Sequence, residues 1–296
     1  MTAVDVFLVA LLATAVAVGL HAVFVAPRQL RLTEVDAPIE GLPRELDGYT
    51  IGVLSDIHHG SVVTWRNAAR AVEMLNAARP DLAVLLGDFG VSFKYAYRPS
   101  RGSYRRMFGV LGRVLREIRA RDGVLAVLGN HDHYYNSRAV VDWLLALGIR
   151  ILENEHVVIE RGAARLAVGG VGDAREGLVD PAGGLGGAPG DVPRIVLSHN
   201  PDGVMCLASD VRVDLMLSGH THGGQVVLPL YGAPLRLARV CGRHTASGWV
   251  PNDRTALYVS RGVGAQIPLR FACPPEVVLV RLRDRGSGTR YPESDG

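Results

Sequence analysis

Short apolar runs alternate along most of the chain with stretches in which apolar residues recur every three or four positions. The runs are rich in Val, Ile and Leu and are four or five residues long, which is typical of buried strands. The intervening spacing, as at Ala68, Val72 and Leu75, predicts helices. Alternation of the two indicates an α/β architecture. The predicted strands are 50–54, 82–86, 124–128, 149–152, 156–160, 165–169, 194–197 and 213–217, and the predicted helices lie between Thr64 and Pro80, at 105–121 and at 137–147.

The longest apolar stretch covers residues 6–26. About 20 apolar residues span the hydrocarbon core of a bilayer, so the stretch predicts a transmembrane helix. A cleaved signal peptide is the alternative, but no basic residue precedes the stretch, its apolar part is too long, and Pro27 follows it directly. Arg28 and Arg31 flank it only on the C-terminal side, and by the positive-inside rule this places the following domain in the cytoplasm.

These patterns divide the chain into four parts. We expect a single-pass anchor in the cell membrane at 1–27, a polar linker at 28–47, a globular domain at 48–283 and a disordered tail at 284–296. The chain has 296 residues, of which 48% are hydrophobic, enough for one large domain with a buried core. Within it, the glycine-rich segment 183–190 predicts a surface loop.

Charge and cysteine content exclude several classes of protein. The net charge of +3 lacks the basic excess of a general nucleic-acid-binding protein, so we expect no nucleic-acid partner. Cys206, Cys241 and Cys273 are far apart and form no CxxC pair, which argues against a disulfide framework and against a thiolate zinc site. The chain also lacks the HxHxDH block of β-lactamase-like hydrolases and the GxSxG elbow of serine hydrolases.

Metal-binding residue types follow five of the predicted strands, at the point where each strand ends. In α/β sheets the carboxyl ends of strands converge and ligands collect there. A single histidine after a strand is usually structural. Five successive loops of this kind are better explained by a metal site, because buried histidines and aspartates without partners cost desolvation energy. Among the residues of these types in the five loops are Asp56, His58, Asp88, Asn130, His199, His220 and His222.

The residue types restrict the metal. Imidazoles with carboxylates and one amide oxygen suit manganese, iron or zinc, whereas all-oxygen sites suit calcium or magnesium. Seven candidate ligands are too many for one four-coordinate ion, and they fit two divalent ions that share a carboxylate. The sequence therefore predicts a dinuclear site.

In their order, these blocks resemble the calcineurin-like metallophosphoesterase superfamily. The blocks are Asp56-x-His58, Gly87-Asp88, Gly129-Asn130-His131-Asp132, His199 and Gly219-His220-x-His222. Two further stretches, 219–225 (GHTHGGQ) and 260–276 (SRGVGAQIPLRFACPPE), are similar to the subgroup of membrane-associated bacterial phosphoesterases that includes the YkuE and YaeI types. The resemblance covers nearly all of the chain after the apolar stretch.

The resemblance implies a four-layer α/β/β/α sandwich and a role for each block residue. Asp56, His58 and His222 would bind the first ion, Asn130, His199 and His220 the second, and Asp88 would bridge the two. His131 would act at the leaving group, either by stabilising charge or by supplying a proton. The implied activity is hydrolysis of phosphodiester, phosphomonoester or pyrophosphate bonds by a metal-activated hydroxide.

Two questions on function stay open at this point. With the predicted anchor, a lipid-linked substrate such as UDP-diacylglucosamine is one expectation, and other phosphoesters fit equally well. The alternative is a catalytically silent, membrane-anchored metal-binding scaffold. A scaffold predicts loss of a ligand or of His131, and the chain retains them all.

Near Asp88 the sequence departs from the family pattern at one position. Many members of the family carry an acidic residue or asparagine three positions after the bridging aspartate, where it orients the histidine, and this chain has Val91. We expect Asp132 or a backbone carbonyl to orient His131 in its place.

The basic and aromatic segment 93–106 is either a solvated loop or a lid whose arginines, Arg98, Arg101, Arg105 and Arg106, bind an anionic substrate or the membrane surface.

Overall fold

The computed structural model describes residues 1–60, 65–91, 101–180, 182–265 and 267–286. Thr64, which precedes the first predicted helix of the domain, lies outside these ranges, as do residues 93–100 of the basic and aromatic segment. Of the arginines in that segment, Arg105 and Arg106 are described, and both are exposed on the helix Arg101–Leu115. The lid therefore stays a prediction.

Within the described ranges, twelve strands form two mixed sheets of six strands each. Parallel neighbours predominate in both sheets. The antiparallel pairs are Glu276–Asp284 with Thr50–Leu54, Gly248–Val250 with Ala256–Val259, and Glu155–Arg161 with Ala164–Gly170. The first sheet has the order β1 (Arg31–Ile39), β12 (Glu276–Asp284), β2 (Thr50–Leu54), β3 (Leu82–Leu85), β4 (Val124–Ala126) and β5 (Arg150–Ile151). The second has the order β10 (Gly248–Val250), β11 (Ala256–Val259), β9 (Leu215–Ser218), β8 (Arg194–Leu197), β7 (Ala164–Gly170) and β6 (Glu155–Arg161).

The sheets pack face to face because successive strand residues point to opposite faces. In β3, Leu82 and Val84 enter the core between the sheets, while Ala83 and Leu85 pack on the outer side. The same alternation in the second sheet places Leu215 and Leu217 of β9 inside and Met216 outside. Each strand of this kind is buried on both faces, which is why it appears in the sequence as a continuous apolar run.

The two outer faces are covered differently. Helices α2 (Trp65–Ala78), α3 (Arg101–Leu115) and α5 (Ser137–Ala146) pack on the first sheet, and the short α4 (Asn130–Tyr135) precedes α5. The second sheet is covered by loops and by the 3-10 helix Pro201–Met205, through side chains such as Leu185, Ala188 and Val204. The two-sheet α/β sandwich is confirmed, and the predicted glycine-rich loop supplies two buried side chains to its outer layer.

The segment predicted as a linker contains a strand. β1 pairs in parallel with β12 over nine residues, and its Ala37 and Ile39 are buried. Its charged residues lie on the exposed face, where Glu34 is 3.3 Å from Arg281 of β12. An edge strand with one solvated face does not need a continuous apolar run. The charged residues of β1 therefore led to its prediction as a polar linker.

The apolar N-terminal stretch is one helix. α1 (Ala3–Leu20) continues through a π-helical turn (His21–Val25) and a 3-10 turn (Ala26–Arg28). The whole helix has 26 residues, a mean hydropathy of 2.4 in its most apolar window, and only 6% of that window is buried. By length and composition it is able to cross a membrane.

Candidate metal centre

Five loops meet at one end of the sandwich, at the carboxyl ends of β2, β3 and β4 in one sheet and of β8 and β9 in the other. Hydrogen bonds between main chains join neighbouring loops within each sheet, for example Asp56 N to Gly87 O (3.1 Å) and Gly219 N to His199 O (2.9 Å). All seven predicted ligands lie here, and all are buried. Two groups of their side chains have ligand atoms within 4.8 Å of one another: Asp56, His58 and His222, and Asp88, His199 and His220.

The first cluster forms around Nε2 of His58. This atom is 3.1 Å from Nε2 of His222 and 3.9 Å from Oδ1 of Asp56. Nε2 of His222 is in turn 3.5 Å from the same carboxylate oxygen. Two imidazole nitrogens and a carboxylate oxygen thus converge on one point, which is the donor arrangement of a divalent transition-metal site.

The second cluster forms around Nε2 of His199. This atom is 3.2 Å from Nδ1 of His220 and 3.2 Å from Oδ1 of Asn130. Nδ1 of His199 is 2.7 Å from the carbonyl oxygen of Leu86. Hydrogen bonding of Nδ1 to that carbonyl directs Nε2 of His199 at the cluster, as in metal-bound histidines.

Asp88 belongs to both clusters through one oxygen. Its Oδ2 is 3.5 Å from Nε2 of His58 and 3.3 Å from Nε2 of His199. Its other oxygen, Oδ1, accepts a hydrogen bond from the backbone N–H of His131 (2.9 Å). The carboxylate is therefore held in an orientation that leaves Oδ2 between the clusters.

The protonation of these groups fits cation binding. Burial lowers the pKa of His58, His220 and His222 to about 3, so these imidazoles are neutral and their lone pairs are free for a metal. Burial alone would raise the pKa of Asp88, but the positive charge of His199 holds the pKa of Asp88 well below its ordinary value, and Asp88 in turn raises the pKa of His199 well above its ordinary value despite burial. The pocket thus combines three neutral imidazoles with a buried carboxylate that attracts positive charge, and this donor set fits two divalent cations.

The loops adopt a strained backbone. Left-handed φ values are rare for residues with a side chain and cost of order 1–3 kcal/mol each. Such residues persist when the surroundings determine them, and they concentrate at functional sites. Five of the seven candidate ligands have φ between 44° and 69°: Asp56, His58, Asp88, His220 and His222.

Two glycines allow the carboxylates to approach the backbone. A Cβ atom on Gly129 would lie 2.2 Å from Oδ1 of Asp88, and one on Gly219 would lie 2.4 Å from Oδ2 of Asp56. Real Cβ atoms essentially never come that close to another heavy atom. These contacts explain why two of the sequence blocks carry a glycine directly before Asn130 and His220.

His131 and Asp132 follow Asn130 on the first turn of α4. The ring of His131 is perpendicular to that of His58, with 5.0 Å between centroids, so it lies beside the first cluster. Asp132, one of the two groups expected to orient His131, accepts hydrogen bonds from the backbone N–H groups of Asp88 (2.8 Å), Phe89 (3.1 Å) and Gly129 (2.9 Å). It holds the loop that carries Asp88. Burial and the charge of Asp88 raise the pKa of Asp132 to about 7.

Arg270 lies outside the sequence blocks that predict the site and is 1% exposed. Its guanidinium lies within hydrogen-bond reach of five carbonyl oxygens, those of Gly264 (2.6 Å), Arg261 (2.8 Å), Cys273 (3.2 Å), Gly262 (3.4 Å) and His222 (3.5 Å). The backbone N–H of Gly264 donates to the carbonyl of Asp56 (2.8 Å). Arg270 thus connects the backbones of two candidate ligands, Asp56 and His222. The signal available in the sequence was a single charged residue within 262–275.

The chain is similar in sequence to known proteins over most of its length. The model of the calcineurin-like phosphoesterase family matches residues 49–224. The chain is 30% identical over 266 residues to the metallophosphoesterase YkuE of Bacillus subtilis, with 89% of each chain covered. It is 31% identical over 237 residues to phosphodiesterase YaeI of Escherichia coli, covering 79% of this chain and 82% of that protein. A transmembrane protein with a metallophosphoesterase domain from Danio rerio is 29% identical over 289 residues, which is 93% of this chain and 62% of that protein.

Removal of metal should destabilise the protein. A chelator would leave the carboxylates of Asp56 and Asp88 buried without a cation, and a ligand that binds only the folded state contributes to its stability. We expect 1,10-phenanthroline to lower the melting temperature of the full chain in detergent by several degrees, on the order of 1–3 kcal/mol. Added Mn²⁺ or Zn²⁺ should restore it. An unchanged melting temperature in differential scanning fluorimetry would contradict metal binding.

Loss of the Arg270 guanidinium should lower the stability of the protein and its affinity for metal. Arg270→Met keeps much of the volume and leaves buried carbonyls without a donor, so we expect a loss of about 2–4 kcal/mol in unfolding free energy. We also expect weaker metal binding, measured by competition with a fluorescent zinc chelator. Arg138→Met is the matched control, because Arg138 is exposed and its ion pair with Asp142 is solvated. Equal effects of the two substitutions would show that Arg270 does not position the ligands.

Proposed function

The chain belongs to the calcineurin-like phosphoesterase family, and from this we propose that it hydrolyses phosphoester bonds with two divalent cations. The observation that carries the proposal is the position of Asp88, whose Oδ2 lies 3.5 Å from His58 Nε2 of one cluster and 3.3 Å from His199 Nε2 of the other. Two cations that share one carboxylate can stabilise both the attacking and the leaving oxygen of an in-line displacement at phosphorus.

In this proposal Asp56, His58 and His222 hold one cation, Asn130, His199 and His220 hold the other, and Asp88 bridges them. The donor set suits manganese, iron or zinc. When bound, the cations supply the Lewis acidity that activates the nucleophile and offsets charge on the phosphoryl oxygens.

We propose His131 as the group that protonates the leaving oxygen. Its backbone N–H is bonded to Asp88 and its ring lies beside that of His58, so both its main chain and its side chain are placed relative to the clusters. A histidine suits the task because its ordinary pKa lies near neutral pH.

The substrate class is a phosphodiester, phosphomonoester or pyrophosphate. The apolar helix 3–28 supports membrane anchoring, with 1–27 as the single-pass anchor of the cell membrane and the catalytic domain on the cytoplasmic side of Arg28 and Arg31. An anchored enzyme of this class would meet lipid-linked phosphoesters, and UDP-diacylglucosamine is one substrate to try.

Asp88→Asn should abolish the bridge. The amide keeps the size of the carboxylate and removes its charge, so we expect hydrolysis of bis-p-nitrophenyl phosphate with Mn²⁺ to fall by at least about 100-fold. Bound metal, measured by mass spectrometry, should fall from two ions to one or fewer. Asp142→Asn on the exposed face of α5 is the control and should match the parent protein. Full activity of Asp88→Asn would overturn the dinuclear proposal.

His131→Ala should separate catalysis from metal binding. We expect two bound ions and a fall in turnover of roughly 10²–10⁴-fold, the usual contribution of a general acid. The fall should be largest for substrates with poor leaving groups, because these depend most on protonation. His244→Ala removes an exposed histidine as a control. If His131→Ala loses its metal, His131 is a ligand or a structural residue and the proposed role is wrong.

A further inference from the structure

The C-terminal end of the apolar helix is attached to the globular domain. The backbone N–H of Arg270 donates to the carbonyl of Ala22 (2.9 Å), and the side-chain amide of Asn67 donates to the carbonyl of Pro27 (3.0 Å). Ala22 and Ala26 are buried against the domain. Two segments far apart in sequence thus hold the last turns of the helix, and the helix leaves the domain in a defined direction.

The contact at Ala22 lies within the apolar part of the helix. Ala22 is six residues before Arg28, which corresponds to about 9 Å at 1.5 Å per residue. If the arginines at the helix end lie among lipid headgroups, the segment that contacts Ala22 reaches about 9 Å below them. Amphipathic elements at membrane surfaces insert to a depth of about 5–10 Å.

The segment at that depth carries exposed apolar side chains. Ile267 and Leu269 are 62% and 36% exposed, and the side-chain amide of Gln225 donates to both of their carbonyls (2.9 Å each). Their side chains therefore project from a segment whose backbone is held in place. Phe271, at its end, accepts a hydrogen bond from the backbone N–H of Val227 (2.9 Å), which joins the segment to the next loop.

That loop is a hairpin with an apolar tip. The backbone N–H of Leu228 donates to Gly232 (3.0 Å), and Leu230 at the tip is fully exposed. Single exposed apolar residues are common, but two neighbouring segments that each expose large aliphatic side chains mark an interaction surface. We call hairpin 228–232 together with segment 267–271 the docking surface.

A tyrosine of the docking surface contacts an arginine, and an exposed tryptophan lies near the end of the apolar helix in sequence. The guanidinium of Arg243 lies 4.3 Å from the ring centroid of Tyr231, which is partly exposed in the hairpin. Trp65 is also about half exposed, two residues before the Asn67 that binds the helix end. Tyrosine and tryptophan are enriched where proteins meet the headgroup region of a membrane, and arginine is attracted to anionic headgroups.

We propose that the docking surface is inserted into the lipid bilayer, in the leaflet from which the apolar helix emerges. The proposal rests on the membrane anchoring in the proposed function. It goes further, because an anchor alone allows the domain to rotate on a tether, whereas a docked domain has one orientation. Hairpin 228–232 begins six residues after His222, so docking would hold the metal centre at a constant height above the lipid and favour phosphoesters presented at the membrane surface.

Depth-dependent fluorescence quenching tests the proposal on the full chain in phosphatidylcholine nanodiscs that contain doxyl-labelled lipid. Cys206→Ser removes the exposed native cysteine, and Cys241 and Cys273 are buried. In that background a fluorophore is attached to one new cysteine at a time. The positions are Leu230→Cys and Ile267→Cys in the docking surface, Val9→Cys in α1, and Leu145→Cys, equally apolar and 54% exposed on α5, as the control.

We expect doxyl lipid to quench the label at least 2-fold at Leu230→Cys, Ile267→Cys and Val9→Cys, and to leave Leu145→Cys unchanged. Quenching at Val9→Cys alone would retain the anchor and overturn docking. No quenching at any of the positions would overturn the anchor as well. Protection of Leu230→Cys from aqueous iodide without quenching by lipid would mean that a second copy of the chain covers the surface, and would also overturn the proposal. Hydrolysis of bis-p-nitrophenyl phosphate by the same samples tests the catalytic part of the proposed function separately.

Discussion

The site depends on the placement of one carboxylate. Asp88 is buried, one of its oxygens lies between two clusters of imidazole, carboxylate and amide groups, and the other is bonded to the backbone of His131. A buried anion in this position requires positive charge on both sides. The other groups of the centre either hold the Asp88 carboxylate in place or supply the remaining candidate ligands on each side of it.

The support for Asp88 is mostly backbone. Its own N–H is bonded to Asp132, whose carboxylate also holds Phe89 and Gly129, and Gly129 has no Cβ that would clash with it. This arrangement ties the loop after β3 to the loop after β4. Strained left-handed residues are stable here because several hydrogen bonds determine each loop, and rigid loops place ligand atoms more accurately than mobile ones.

Hydrogen bonds of Arg270 connect the loop after β9 in the second sheet to the loop after β2 in the first. Buried Arg270 binds the carbonyls of His222 and Gly264, and Gly264 is bonded to Asp56. The next residue along this path is Ala22 of the apolar helix, whose carbonyl accepts from the backbone of Arg270. Arg270 therefore contacts both the loops that carry the candidate ligands and the C-terminal end of the apolar helix. Direct hydrogen bonds thus define the position of the metal centre relative to that helix.

The sequence by itself determined the α/β class, the apolar helix and the order of the candidate ligands, because each is encoded locally. A strand that is buried on both faces appears in the sequence as a continuous apolar run. The residues directly after it lie at the carboxyl end of the sheet, independently of distant parts of the chain. Only the tertiary structure decided that Oδ2 of Asp88 faces both clusters, that Asp132 supports the Asp88 loop, and that Arg270 connects His222 to Asp56. These contacts join residues that are tens to hundreds of positions apart or depend on the orientation of a side chain. β1 was missed for a related reason: its charges are satisfied by Arg281 and Arg283 of a strand at the other end of the chain, and no local pattern reveals such a partner.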